Sequence, residues 1–301
     1  MSAELMETLR RHLGDRALFA EPLAGRTTWG VGGPAWCLCR VQNAEEAALV
    51  VAAAGAAGVA VKALGRGSNL LVGDRGYPGV MLTLEGELAL ARVEGAAMLA
   101  GGGAHLPALV RLASASGLAG LEWAAGIPAS LGGAIANNAG AAGGQMSDLV
   151  ESVDLLMPDG RRETLAGGAL VSGYRRGGLP AGALVLAACL RLSPDDPGAV
   201  AERARAILAR RAASQPLNAA TAGSVFKNPP GDFAGRLIEA AGCKGWRQGG
   251  AVVSDRHANF IVNAGGASAA DVLALMERVR ARVREACGVD LAPEVEVVGD
   301  V

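Results

Sequence analysis

The stretch Trp123–Ser147, WAAGIPASLGGAIANNAGAAGGQMS, most limits what this chain can fold into, because its 25 residues include no Asp, Glu, Lys or Arg. Missing charge suits a membrane helix, but six glycines, a proline, two adjacent asparagines and a glutamine do not. Their polar groups would stay unsatisfied in lipid. A buried core helix also fits poorly, because glycine is a weak helix former. Two readings remain. One is a tight loop between core elements. The other is backbone packed against a ligand, where glycine permits close approach and N–H groups face phosphate or ring oxygens.

A length of 301 residues allows two or three domains. The formal charge of −1 leaves no electrostatic footprint for nucleic acid or an anionic membrane. The opening residues, MSAELMETLRRHLGDR, mix charge with apolar residues at helical spacing and lack a signal-peptide core. The expectation is a cytoplasmic protein with no membrane or nucleic-acid partner and no obligate protein partner. Five cysteines without a CxxC pair argue against a disulfide framework or zinc site. His12, His105 and His257 are scattered, so no metal is expected. Only three lysines, Lys62, Lys227 and Lys244, stand against 25 arginines.

In chain order, residues 4–14 read as an amphipathic helix and Thr27–Pro34 as a turn-rich loop. Ala35–Val41 and Ala60–Leu64 read as strands, with a helix between them opened by Asn43 and Glu46. Gly65-Arg66-Gly67-Ser68-Asn69-Leu70 follows at once. A glycine-rich turn after a strand can cradle a pyrophosphate on backbone N–H groups, or be an ordinary turn. It is not GxGxxG and leads into apolar Leu70-Leu71-Val72, which disfavours a Rossmann fingerprint. Short strands are expected at Val80–Leu84, Leu88–Val93 and Ala97–Ala100, and a helix at Leu106–Ser116. A hairpin is expected around Pro158-Asp159-Gly160, and an apolar strand at Ala183–Leu192. Ser193–Pro197 is a polar, rigid boundary. Helices follow at Ala199–Ala213, Asp232–Ala241 and Ser268–Cys287, the last with Val272, Leu275, Met276, Val279 and Val283 on its core face. Strands are expected at Ala251–Val253, Phe260–Val262 and Pro293–Val298. The division expected is 1–64, an N-terminal α/β part, then 65–196 and 197–301.

Ala222-Gly223-Ser224-Val225-Phe226-Lys227-Asn228-Pro229 sets a hydroxyl, an ammonium and an amide within five residues, which suits an anionic, hydroxyl-rich ligand. Ser224 has no histidine nearby and no GxSxG frame, so it reads as a proton donor or as a turn serine bonded to local backbone. Arg175, in a glycine-flanked loop beside Tyr174, can clamp a carboxylate or lie solvated on the surface. Glu294, at the start of the last strand, and Glu296 would share one face of it, which reads equally as a solvated edge.

These segments, taken together and in order, resemble the UDP-N-acetylenolpyruvoylglucosamine reductase family. The resemblance rests on Thr28–Ala35, Gly65–Val72, Gly120-Leu121-Glu122, Gly126-Ile127-Pro128 and Gly132-Gly133-Ala134. It continues through Asn138-Ala139-Gly140, Gly173-Tyr174-Arg175, Gln215-Pro216-Leu217, Ala222–Pro229 and Pro293-Glu294-Val295. It implies an α+β chain with the FAD-binding fold shared with vanillyl-alcohol oxidase (the PCMH type), followed by a C-terminal α/β substrate-binding domain. It implies FAD and NADPH as cofactors and a small-molecule UDP-sugar substrate. It also implies a reaction in peptidoglycan precursor synthesis in which hydride from flavin N5 adds to C3 of an enolpyruvyl group and C2 is then protonated. The family's FAD contacts fall on Gly65, Arg66, Gly67, Ser68, Asn69 and Leu70, and on Ala124, Gly126, Ile127, Pro128, Ser130, Leu131, Gly132, Gly133 and Asn137. Ser224 corresponds to the C2 proton donor, and Arg175 and Glu294 to the pair that stabilises the enolate. Tyr174, Arg175, Lys227, Asn228 and Arg247 fall in the substrate site. The chain departs from the family at three places. The interval from Arg175 to Ser224 has no tyrosine, as in the family's shorter form. Ala142 replaces a common tyrosine, and Glu296 stands where some members carry an arginine, a loss for which Arg211 or Arg247 could compensate. Two rival readings are an FAD-dependent oxidase of the same fold and a nucleotide-binding module without catalysis.

Overall fold

The computed structural model describes residues 3–300. The chain forms two compact units. The first comprises the chain up to Phe19, Cys37–Gly65 and Gly79–Arg210; the second comprises Ala20–Trp36, Arg66–Pro78 and the chain from Arg211 onward. Among the described residues, no helix is long and apolar enough to cross a membrane.

In the first unit, helix Ala3–Leu13 buries Leu5, Leu9 and Leu13, a spacing of four that sets all three on one stripe. Helix Ala44–Ala56 starts where expected, because the Asn43 side chain accepts from Glu46 N at 2.9 Å. Val61–Ala63 pairs in parallel with Tyr77–Leu84, in the register Val61 to Val80. The main sheet runs in the order Arg162–Ala166, Val150–Leu156, Leu184–Arg191, Ala97–Gly101, Ala91–Glu94, antiparallel throughout. The expected hairpin closes it at one edge, where Asp159 Oδ1 accepts from Arg161 N and Gly160 takes φ +83°. Helix Leu106–Ala115 and the sheet bury Met98, Leu109, Val153, Leu155 and Leu190 together. Where one strand was expected over Leu88–Val93, a 3-10 turn over Gly86–Ala89 precedes a strand limited to Ala91–Glu94.

In the second unit, helix Ala269–Cys287 is held by a full capping box between Ser268 and Asp271 and ends at Gly288 in the left-handed region. It buries the five expected core residues, Val272, Leu275, Met276, Val279 and Val283. Against it lie helix Ala234–Ala240 and a small sheet ordered Arg247–Gln248, Ala251–Val253, Ile261–Asn263. Two early segments belong to this unit. Trp29 is fully buried in the same core, with its indole N–H donating to Ile261 O at 2.7 Å. Leu70–Val72 is a strand that pairs in parallel with Glu296–Val298. That last strand starts later than the sequence suggests. Glu294 precedes it, because its N–H is already given to Val225 O.

Candidate active site

The charge-free stretch is not all loop. Leu131–Ala136 is a six-residue helix capped by Ser130, whose Oγ accepts from Gly133 N at 3.3 Å. Glycine is tolerated here because the helix must lie on backbone: a Cβ at Gly132 would stand 3.1 Å from Gly102 O. The stretch then folds back on itself, and Gly144 leaves room for Trp123, whose ring would lie 2.3 Å from a Cβ there. Much of its backbone is spent internally. Leu131 N donates to Ala104 O and Gly132 N to Gly102 O, both at 2.8 Å. Ile127 N and Ala129 N are also engaged, whereas among the described residues the N–H groups of Gly126 and Ser130 donate no hydrogen bond. The missing charge therefore has a packing cause as well as any ligand cause.

Gly65–Leu70 is different. A Cβ on Gly65 would lie 2.3 Å from Ser130 Oγ, so a side chain there would displace the hydroxyl that caps the next helix. Gly67 has φ +60°, and a Cβ on it would lie 2.3 Å from Arg26 O. Among the described residues, none of the five consecutive backbone N–H groups from Gly65 to Asn69 donates a hydrogen bond. A run of open donors, with two positions kept bare of side chains, fits a dianionic pyrophosphate. The residues present therefore suit the phosphate end of a dinucleotide such as FAD.

The Ser224 loop is laced to two other segments of the second unit. Val225 N donates to Asn259 O at 2.9 Å, and Glu294 N donates to Val225 O at 2.8 Å. Lys227 N donates to Ala292 O at 2.8 Å. Ser224 and Glu294 thus sit on directly hydrogen-bonded strands of chain. Asn69 continues the lacing: its Nδ2 donates to Glu294 O at 3.2 Å, and its own carbonyl accepts from Glu296 N at 3.0 Å. The cofactor-type turn and the Glu294 backbone therefore share a residue.

Two buried asparagines hold this architecture: Asn259, which no motif marks, and Asn138, which opens the Asn-Ala-Gly segment of the resemblance without an assigned role. Asn259 is 3% exposed and grips Phe226 like a strand partner, accepting from its N–H at 3.0 Å and donating to its C=O at 2.8 Å. The signal for it was an amide set between Ala258 and Phe260 in an otherwise apolar run. Asn138 is also 3% exposed and makes three side-chain hydrogen bonds in the first unit. Glu122, in the Gly-Leu-Glu segment, is structural too, accepting from Gly120 N at 2.6 Å and from Arg203 Nε at 2.9 Å.

Arg175 lies in the first unit at φ +54°, a strained position for arginine, and its Nη1 donates to Gly140 O at 3.1 Å. The guanidinium lies 5.2 Å over the ring of exposed Tyr174. Asn228 Oδ1 accepts from Ala234 N at 3.0 Å and so opens helix Ala234–Ala240. Arg247 is an exposed residue of strand Arg247–Gln248. Close before the Ser224 loop, Arg211 Nε, Gln215 Oε1 and Thr221 Oγ1 are buried polar atoms without a hydrogen-bond partner among the described residues. Burial holds the Arg211 pKa below the usual arginine value. Near the same loop, burial lowers the His257 pKa, assisted by the Lys244 charge. Its Nδ1 accepts from Asn259 N at 3.3 Å.

The chain is similar to known proteins over nearly its whole length. Residues 35–166 match the FAD binding domain family, and residues 215–298 match the family described as UDP-N-acetylenolpyruvoylglucosamine reductase, C-terminal domain. The UDP-N-acetylenolpyruvoylglucosamine reductase of Moorella thermoacetica is 47% identical over 285 residues, covering 95% of this chain and 94% of that one. A second reductase so named, from Symbiobacterium thermophilum, is 46% identical over 99% of this chain and 96% of its own length. The crystal structure of the Thermus caldophilus enzyme superposes with a TM-score of 0.82 at 40% identity, over 94% of this chain and 98% of that one. Phl p 4, a grass pollen allergen with glucose dehydrogenase activity, shares the FAD-binding fold alone, with a TM-score of 0.51 at 17% identity over 64% of this chain and 44% of its own. The chain is α+β with that fold, and it belongs to the UDP-N-acetylenolpyruvoylglucosamine reductase family.

Proposed function

We propose that this chain reduces the enolpyruvyl group of UDP-N-acetylglucosamine enolpyruvate to give UDP-N-acetylmuramate in peptidoglycan precursor synthesis, using FAD and consuming NADPH in the cytoplasm. The observation that carries the reading is the lacing of Ser224 to Glu294 through Val225, in a chain 47% identical to a reductase so named. When bound, FAD supplies the hydride for C3 of the enolpyruvyl group and is recharged by NADPH.

The residues of the chain divide the rest of the work. Gly65–Asn69, with Gly126 and Ser130, offer N–H donors to the cofactor's phosphates. Ala124, Ile127, Pro128, Leu131, Gly132, Gly133 and Asn137 supply the surface beside them. The Arg175 guanidinium binds the substrate carboxylate, where negative charge grows as C3 is reduced. A cation aimed at developing charge stabilises the transition state more than the ground state. The Ser224 hydroxyl holds the proton that C2 receives, and Glu294 supports the same step from the adjoining backbone. Lys227, Asn228 and Arg247 serve the diphosphate, joined by Arg211, whose buried and unpartnered Nε suits an oxyanion. Tyr174 lies open beside Arg175 to cover the sugar.

The purified protein loaded with FAD should oxidise NADPH only when the enolpyruvyl UDP-sugar is present, with one equivalent of product per NADPH. Turnover of an alcohol with rapid O₂ consumption, and none of the enolpyruvyl sugar, would replace this reading with a dehydrogenase or oxidase of the same fold.

A further inference from the structure

The turn that carries Tyr174 and Arg175 is tight and strained. Gly173 and Arg176 exchange hydrogen bonds, N to O, at 2.8 and 3.0 Å, which leaves Arg175 at φ +54°. A non-glycine residue stays in that region only where its surroundings hold it there. One mooring is backbone: Gly177 N donates to Ala136 O at 2.9 Å, and Gly177 lies so close to helix Leu131–Ala136 that a Cβ would stand 2.0 Å from Ile135 O. The other mooring is the side chain of Asn138. Its Nδ2 donates to Gly173 O at 3.1 Å, at the base of the turn, and to Gln145 Oε1 at 3.2 Å. Its Oδ1 accepts from Ser147 N at 2.9 Å.

The last two bonds fix the loop from Ala139 to Ser147, and that loop supplies the Gly140 carbonyl that receives Arg175 Nη1. The carboxamide of Asn138 therefore touches both the turn that bears Arg175 and the loop on which its guanidinium rests. Asn138 is itself in the left-handed region, at φ +40°, which asparagine tolerates better than most residues. A carboxamide can accept with its oxygen from one loop while its NH₂ group donates to two other acceptors, which a single hydroxyl proton cannot do.

We infer that Asn138 is a positioning residue that sets the orientation of Arg175 through the Gly173 carbonyl. This rests on the proposed role of Arg175 with the substrate carboxylate. Asn138→Asp tests it, since Asp nearly matches the shape, accepts positive φ and still takes the Ser147 N–H, but its carboxylate cannot donate to Gly173 O. In the FAD-loaded enzyme, NADPH should reduce the flavin within about twofold of the wild-type rate. Reoxidation by the enolpyruvyl substrate should slow by ~10–100-fold, the scale of a misplaced orienting group. In an Arg175→Ala background the same substitution should add little.

Equal slowing of both half-reactions, an unchanged second half-reaction, or full additivity with Arg175→Ala would overturn the inference. If Arg175→Ala alone leaves reoxidation at the wild-type rate, the role of Arg175 fails and the inference falls with it. If Arg175→Ala is slow but Asn138→Asp is normal, only the inference fails. Asn138→Gly, which also accepts positive φ and lacks the carboxamide, should repeat the split. If neither variant folds, Asn138 is a general structural residue and the inference is wrong.

Discussion

Replacing Asn259 with alanine should unseat the Ser224 loop. Its carboxamide accepts from Phe226 N at 3.0 Å and donates to Phe226 O at 2.8 Å, and Phe226 is 1% exposed. Truncation therefore leaves a backbone donor and a backbone acceptor buried without partners. Each such loss costs about 1–3 kcal/mol, and water entering the space left by the side chain recovers part of it. The expected destabilisation is about 2–4 kcal/mol, against a typical total of about 5–15 kcal/mol for a domain. The carbonyl of Asn259 still accepts from Val225 N, so the loop should shift rather than detach. Urea unfolding followed by tryptophan fluorescence gives the stability change, because Trp29 is buried in the same core. At permissive temperature the variant should retain FAD and its reduction by NADPH but lose at least about tenfold in reoxidation by substrate. A destabilisation under about 0.5 kcal/mol, or an unchanged second half-reaction, would refute the view that Asn259 holds the catalytic loop.

Gly67→Ala would place a Cβ 2.3 Å from Arg26 O at a left-handed φ, and should cost ~2 kcal/mol or more and release FAD, read as flavin absorbance after gel filtration. His257 has a folded pKa below its unfolded value, so on acidification the unfolded chain takes up the proton first. Stability should therefore fall as pH drops below about 6.5, and the fall should shrink in His257→Gln, measured by urea midpoints at pH 7 and pH 5.5. Arg211→Met removes a part-buried guanidinium whose Nε has no hydrogen-bond partner among the described residues, and should raise the stability of the ligand-free protein by about 1 kcal/mol while weakening UDP binding in calorimetry.

Local signals in the sequence were strong where short-range chemistry decides the outcome. Asn43 with Glu46, and the apolar stripe from Val272 to Val283, announce their helices through cap and period, and the structure has them. Pro158-Asp159-Gly160 likewise announces its hairpin. What a linear reading could not see was long-range choice of partner. Nothing in Thr27–Pro34 says that Trp29 will donate to Ile261, or in Leu70–Val72 that it will pair with Glu296–Val298. Helix Leu131–Ala136 was hidden because propensity counts its two glycines against it, while the close approach of Gly132 to Gly102 favours a residue without a side chain there. Motif order marked the segments around Ser224, Glu294 and Arg175. Of the amides that brace them, Asn259 lies in no motif, and Asn138 opens the Asn-Ala-Gly segment without its bracing role being visible there, because the task of each is to satisfy particular backbone groups distant in sequence.

Stopped-flow comparison of wild-type protein and Ser224→Ala, loaded with FAD, puts the division of labour to its most direct test. The Gly65–Asn69 turn should be untouched by the substitution, so NADPH should reduce the flavin at the wild-type rate. Loss of a positioned proton donor should slow reoxidation by the enolpyruvyl UDP-sugar by ~10²–10⁴-fold. Equal slowing of both half-reactions, or reoxidation at the wild-type rate, would contradict the assignment of the proton to Ser224.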